Sequence, residues 1–159
     1  MTDLEIDNEY HKRNNRMDKQ FKDNLKMEGF SNRKDTESLG EFYKPDVVLE
    51  NIDTVVFFES SSTGDRKVHI GELTQFFIYI NSGAEQKENV YFVLFLSGNS
   101  KTSPTVDTEY NRLRYYYKNF SMKNSEHDKI KGIYIANQSE SDITKLTLDD
   151  IKRYKRIDQ

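Results

Sequence analysis

The sequence predicts an α/β sandwich: a mixed central sheet of four or more strands flanked by helices. Short apolar runs rich in β-branched and aromatic residues, at 45–50, 54–60, 90–96 and 130–136, read as strands. Segments with apolar residues at three- and four-residue spacing, at 4–28, 68–81, 106–120 and 147–157, read as helices. From the second strand onward the two kinds alternate, the order that builds a sheet covered by crossover helices.

In residues 4–28, Ile6, Tyr10, Met17, Phe21 and Leu25 form one helical stripe, with Gly29 as its stop. His11, Lys12, Arg13 and Arg16 lie on this helix, where a solvated face explains them better than phosphate contact. Residues 31–40 are polar and read as a loop. The runs Pro45–Glu50 and Thr54–Ser60 read as a β-hairpin. With Asn51–Thr54 as its loop, Glu50 pairs with Val55 and Asp46 falls opposite Glu59. Opposed residues of an antiparallel pair have Cβ atoms about 4.5–5.5 Å apart, so two carboxylates there repel unless a cation joins them. A one-residue slip would put them on opposite faces.

Val68–Asn81 carries Ile70, Leu73, Phe77 and Ile80 at helical spacing, and Gly83 closes it. Val90–Leu96 is apolar at every position, as in a central strand covered on both faces. Val106, Tyr110, Leu113, Tyr117 and Phe120 recur in a four-three-four-three series. Ile130–Ala136 reads as a further strand. Thr147–Ile157 reads as a closing helix, with a Thr cap and acids first and Lys152, Arg153, Lys155 and Arg156 last.

A length of 159 residues suits one domain, divided into an N-terminal helix and loop (1–40), a core (41–136) and a C-terminal helix (137–159). Only 35% of residues are hydrophobic against 32% charged, so ten Phe and ten Tyr must supply much of the core. The absence of Cys excludes disulfides, thiolate metal sites and a cysteine nucleophile. The N-terminus is polar and the longest apolar run, Val90–Leu96, is too short to span a bilayer. A soluble, cytoplasmic protein with no membrane partner is therefore expected. Net charge is −3, but residues 41–100 hold four Lys/Arg against nine Asp/Glu and residues 101–159 hold twelve against nine. An acidic centre with basic flanks suits a cation site beside a polyanion.

His11, His69 and His127 are scattered over separate elements without chelate spacing; His69 stays open because it lies close to Lys67. The triplet Ser60–Ser62 has no Gly-x-Ser-x-Gly turn around it and no evident His–Asp partner. Ser62-Thr-Gly-Asp-Arg-Lys67 lacks the second Gly and the Gly-Lys-Ser/Thr ending of a nucleotide-triphosphate loop. A carboxylate cation site remains, centred on Asp46 and Glu59, with Arg66 and Lys67 beside it as phosphate-binding cations.

The element order over roughly residues 41–136, with Pro45-Asp46 followed by Glu59-x-Ser61, resembles the PD-(D/E)XK, or restriction-endonuclease-like, nucleases. The resemblance implies a restriction-endonuclease-like core and a Mg2+-dependent DNA endonuclease, with Mn2+ able to substitute. It assigns Asp46 and Glu59 as metal ligands, Ser60 as a backbone carbonyl ligand, and Ser61 to the position of the catalytic lysine. Either Lys67 reaches back to that position, or a neutral residue suffices there. Gln75-x-x-x-Tyr79 is similar to a helix motif of RecB-type exonucleases, which adds Gln75 and Tyr79 to the candidate site. Glu72, one turn earlier, and Glu41, before the first strand, are possible further ligands. DNA is the expected partner, with RNA also open, and a homodimer would let a one-strand cutter cleave both strands. The alternative is a nuclease-like module without catalysis that binds nucleic acid or protein.

Overall fold

The computed structural model describes residues 19–34, 39–63, 65–97, 105–121 and 127–159. Helix α1 covers residues 19–24 of that description. The expected stripe residues Ile6, Tyr10 and Met17 and the cations His11, Lys12, Arg13 and Arg16 lie outside it. The chain continues through β1 (Ser31–Asn32), β2 (Val47–Glu50), β3 (Thr54–Ser61), α2 (Arg66–Asn81), β4 (Asn89–Leu96) and α3 (Val106–Tyr116). It ends with β5 (Ile130–Asn137), α4 (Leu148–Lys152) and β6 (Lys155–Arg156).

The six strands lie side by side in chain order. The β1–β2, β2–β3 and β5–β6 pairs are antiparallel, and β3–β4 and β4–β5 are parallel. The sheet is therefore mixed, as expected, with two more strands than the minimum. The β2–β3 turn closes locally: Asn51 Oδ1 accepts from Asp53 N at 3.1 Å and from Thr54 N at 2.9 Å, an Asx-type turn. Glu50 pairs with Val55 and Val47 with Phe58 in the expected register, so one further step faces Asp46 with Glu59.

Helices α2 and α3 connect the parallel strands β3, β4 and β5, and crossovers of one hand that progress in one direction pack on one face. Alternation along β3 sends Val55 and Phe57 into the core beneath these helices, with Phe76, Phe92, Leu113 and Ile133. Val56 and Phe58 point the other way, into a second core with Phe21, Leu25, Phe95, Leu146 and Ile151. Strand β4 is buried from Val90 to Leu96, as its unbroken apolar run requires. No helix among the described residues is long and apolar enough to cross a membrane.

Three expected boundaries change. The first helix stops at residue 24, and the following chain runs extended, with Met27 bridging to Leu146. The polar segment 31–40 contains β1, whose pairing with β2 makes the hairpin the inner part of a three-stranded meander. The closing helix ends at Lys152, and β6 pairs with β5 in its place. Ile151, Tyr154 and Ile157 have helical spacing, yet Ile151 and Tyr154 join the second core while Ile157 joins the first. A helix on one side of a sheet cannot bury residues on both sides; a strand rounding its edge can.

Candidate functional site

Three acids gather where β2 begins and β3 ends. Asp46 N donates to Glu59 Oε2 at 3.3 Å, and Ser60 N donates to Asp46 Oδ2 at 2.8 Å. Glu59 and Ser61 share the parity of Val55 and Phe57, so they lie on the α2 side of the sheet, and Asp46 sits at the strand end just before β2. Glu72, on the inward side of α2, completes the acidic group. Burial, then the charges of Asp46 and Glu72, push Glu59 up to about 10. Burial and the charge of Asp46 push Glu72 up to about 8. Tyr43 stands against the same group: burial, then the charges of Glu59, Glu72 and Asp46, hold its hydroxyl protonated well above the usual range. Tyr43 Oη and Glu72 Oε2 are both buried without a well-formed hydrogen bond. Lys22 of α1 forms an ion pair with Asp46 at 3.6 Å.

Ser61 does have a partner. Its Oγ lies 2.8 Å from His69 Nε2, and His69 Nδ1 lies 2.9 Å from Glu109 Oε2. Arg112 Nη1 donates to the other Glu109 oxygen at 2.8 Å. Ser61, His69 and Glu109 are 6%, 1% and 0% exposed, so the chain of contacts is buried and opens only at its Ser61 end. His69 comes from the first turn of α2, eight residues after Ser61, and Glu109 comes from the next crossover helix, forty residues later. On α2, His69 and Glu72 are three residues apart and share a face, so one helix face covers Ser61 with the first and the acids with the second.

The other expected residues are placed as follows. Lys67 is exposed in the first turn of α2, where Asp65 caps its N–H at 2.9 Å. It precedes the inward His69 by two residues, about 200° around the helix, so Lys67 points away from Ser61, which His69 contacts instead. Arg66 opens α2, and its side chain lies outside the described residues. Gln75 is exposed. Tyr79 packs its ring on Tyr43 at 5.8 Å but donates its hydroxyl to Glu85 Oε2 at 3.0 Å, away from the acids. Glu85 in turn accepts two hydrogen bonds from Arg33, at 2.7 and 3.0 Å, and Arg33 also donates to Glu50 at 2.6 Å. Glu41 is exposed in the turn before Tyr43. Ser60 faces the opposite side of the sheet, where its Oγ lies 3.4 Å from Gln138 Oε1 beside a cavity of about 130 Å3.

A second concavity, of about 520 Å3, lies at the β6 edge. Arg114, Lys131, Lys152 and Arg156 line it with Tyr91, Tyr110, Tyr134 and Tyr154. The guanidinium of Arg114 lies over Tyr110 at 5.8 Å and that of Arg156 over Tyr134 at 6.0 Å. Four of the twelve Lys and Arg residues of segment 101–159 thus line one groove.

No three acidic or histidine side chains among the described residues converge as a complete ligand set for one ion. Asp46 and Glu59 do supply two adjacent carboxylates, and Glu72 Oε2 is a buried acceptor without a donor. An all-oxygen donor set of this kind fits Mg2+, which keeps several waters and takes only one or two carboxylates. No family model, curated protein or solved structure matches the chain.

Proposed function

We propose that the protein is a Mg2+-dependent DNA endonuclease with a restriction-endonuclease-like core, and that Asp46 and Glu59 hold its ion. The observation that carries this reading is the opposed pair itself. Two acids face each other at a strand end, where burial disfavours the charge of Glu59, with half-exposed Lys22 as counter-ion to Asp46 among the described residues. Such a juxtaposition costs stability in the apo protein and is accounted for when a cation occupies it. The hairpin, crossover helix and parallel strand supply the element order on which the resemblance to PD-(D/E)XK nucleases rests.

The residues would divide the work as follows. Asp46, Glu59 and the Ser60 carbonyl would hold Mg2+, which supplies neutralisation of the phosphodiester charge and polarisation at the reacting phosphorus. Asp46 is fixed by the Ser60 N–H, and Glu59 by the Asp46 N–H, so both carboxylates are oriented before a ligand arrives. Helix α2 and Tyr43 close the site against bulk water. The cationic groove at the β6 edge would bind flanking phosphates. A homodimer would bring two such sites to the two strands of a duplex.

Cleavage of supercoiled and linear DNA by wild type, Asp46→Ala and Glu59→Ala tests the reading. Activity with Mg2+ or Mn2+ that falls to background in both variants is expected. Cleavage that survives both substitutions refutes it. DNA binding without cleavage, together with no calorimetric Mg2+ binding that depends on the two acids, would instead identify a nucleic-acid-binding module.

A further inference from the structure

The lysine position of the proposed nuclease site holds a neutral serine, and something else must accept the proton of the attacking water. We propose that Ser61, His69 and Glu109 form a proton relay that takes the place of the missing lysine. The proposal rests on the nuclease reading above. Ser61 lies two residues beyond Glu59 on the same face of β3, one step along the strand from the acid pair. Its Oγ is 2.8 Å from His69 Nε2, within the reach required of a general base. The other ring nitrogen, Nδ1, lies 2.9 Å from Glu109 Oε2, and the relay requires the ring proton on that side with Nε2 turned to Ser61. Arg112 holds the second oxygen of Glu109, so the carboxylate cannot swing away.

A hydroxyl on the acid-bearing face of β3 leads to an imidazole nitrogen and then to a buried carboxyl group placed to stabilise an imidazolium. The charged groups facing His69 are Glu109 and, behind it, Arg112 from α3; β3 contributes Ser61, with Glu59 farther along the strand.

In the step, a water O–H bond breaks as its oxygen bonds to phosphorus. The water proton passes to Ser61 Oγ while the Ser61 hydroxyl proton passes to His69 Nε2. The P–O bond to the leaving oxygen breaks with its electron pair, and that oxygen takes a proton from solvent. Histidine then returns its proton to solvent through Ser61. Ser61 and His69 are thereby catalytic residues, and Glu109 a positioning residue.

Two measurements test the relay. The first is the 15N spectrum of the His69 ring in the intact protein without DNA, where at pH 8 Nδ1 should be protonated and Nε2 bare. A ring doubly protonated up to pH 9, or protonated only on Nε2, overturns the relay whatever the protein does to DNA. The second is DNA cleavage with Mg2+ as a function of pH by wild type, Ser61→Ala and His69→Gln, with Mg2+ affinity measured alongside. Both variants should lose about 10²–10³-fold in kcat with Mg2+ affinity unchanged, and His69→Gln should lose the wild-type limb in which rate rises with pH. A wild type that cleaves while both variants match it in rate and pH profile overturns the relay and leaves the nuclease reading standing. A wild type that cuts no DNA overturns both.

Discussion

Replacing Glu59 with Gln should stabilise the metal-free protein at alkaline pH and flatten its pH dependence. Glu59 is held near 10 in the folded state against an ordinary 4.5, because it is buried beside Asp46 and Glu72. Between those values the folded protein keeps a proton that the unfolded chain has released, so stability must fall as pH rises through the window. At 1.36 kcal/mol per pH unit, the interval from pH 5.5 to 8.5 corresponds to a loss of about 4 kcal/mol as an upper bound. Glu72, held near 8, adds to the slope over the lower part of the same interval. A glutamine at position 59 resembles the protonated acid: it removes the proton linkage while an amide oxygen still accepts the Asp46 N–H. Urea unfolding followed by circular dichroism, in EDTA at pH 5.5 and 8.5, reads the effect. The wild type should lose several kcal/mol more than Glu59→Gln across this interval. A wild-type stability that is flat or rises with pH, or equal slopes in the two proteins, would refute the placement of Glu59 in a buried acidic cluster.

Mg2+ should bind with release of about one proton at pH 7 and tighten about tenfold per pH unit, because Glu59 must ionise first; calorimetry in buffers of different ionisation enthalpy measures this, and zero net release contradicts it. Lys131→Ala and Lys152→Ala should each weaken DNA binding regardless of sequence and reduce the salt slope by about 0.9, as expected when one phosphate contact in the groove is lost; unchanged slopes would remove the groove from the binding surface. Ile157→Ala should cost about 2–5 kcal/mol, since Ile157 is fully buried beneath the α2 and α3 layer; a loss within about 0.5 kcal/mol, the scale of exposed substitutions, would argue against the β6 crossing of the sheet edge.

Much of the acidic site was legible because it is made locally. The Asn51 turn and the alternation of Val47–Glu50 against Thr54–Ser61 set the hairpin register, and that register alone faces Asp46 with Glu59. Glu72 was named as a possible further ligand because it stands one helical turn before Gln75. The serine relay left no comparable trace, because its members sit on three elements and only the packing of two crossover helices brings them together. One signal was available. His69 stands among the apolar positions Ile70, Leu73 and Phe77 rather than on a charged face, and Glu109 lies one residue from Tyr110 in the next series. A polar group on an inward stripe needs a buried partner. Lys22 was overlooked for the opposite reason: it is one of many charges on an outer helix, and only the docking of that helix selects it.

The tail divides in the same way. Periodicity correctly found Ile151, Tyr154 and Ile157 as buried positions but assigned them one helix, since spacing says that residues are covered and not by what. The sequence by itself determined the α/β alternation, the unbroken burial of β4 and the hairpin that opposes two carboxylates, all governed by neighbours a few residues apart. Only the tertiary structure decided that Lys67 turns outward, that His69 and Glu109 stand behind Ser61, and that the last residues close the sheet edge. Those outcomes depend on which faces of distant elements meet, and that is fixed by the packing of the whole core on both sides of one sheet.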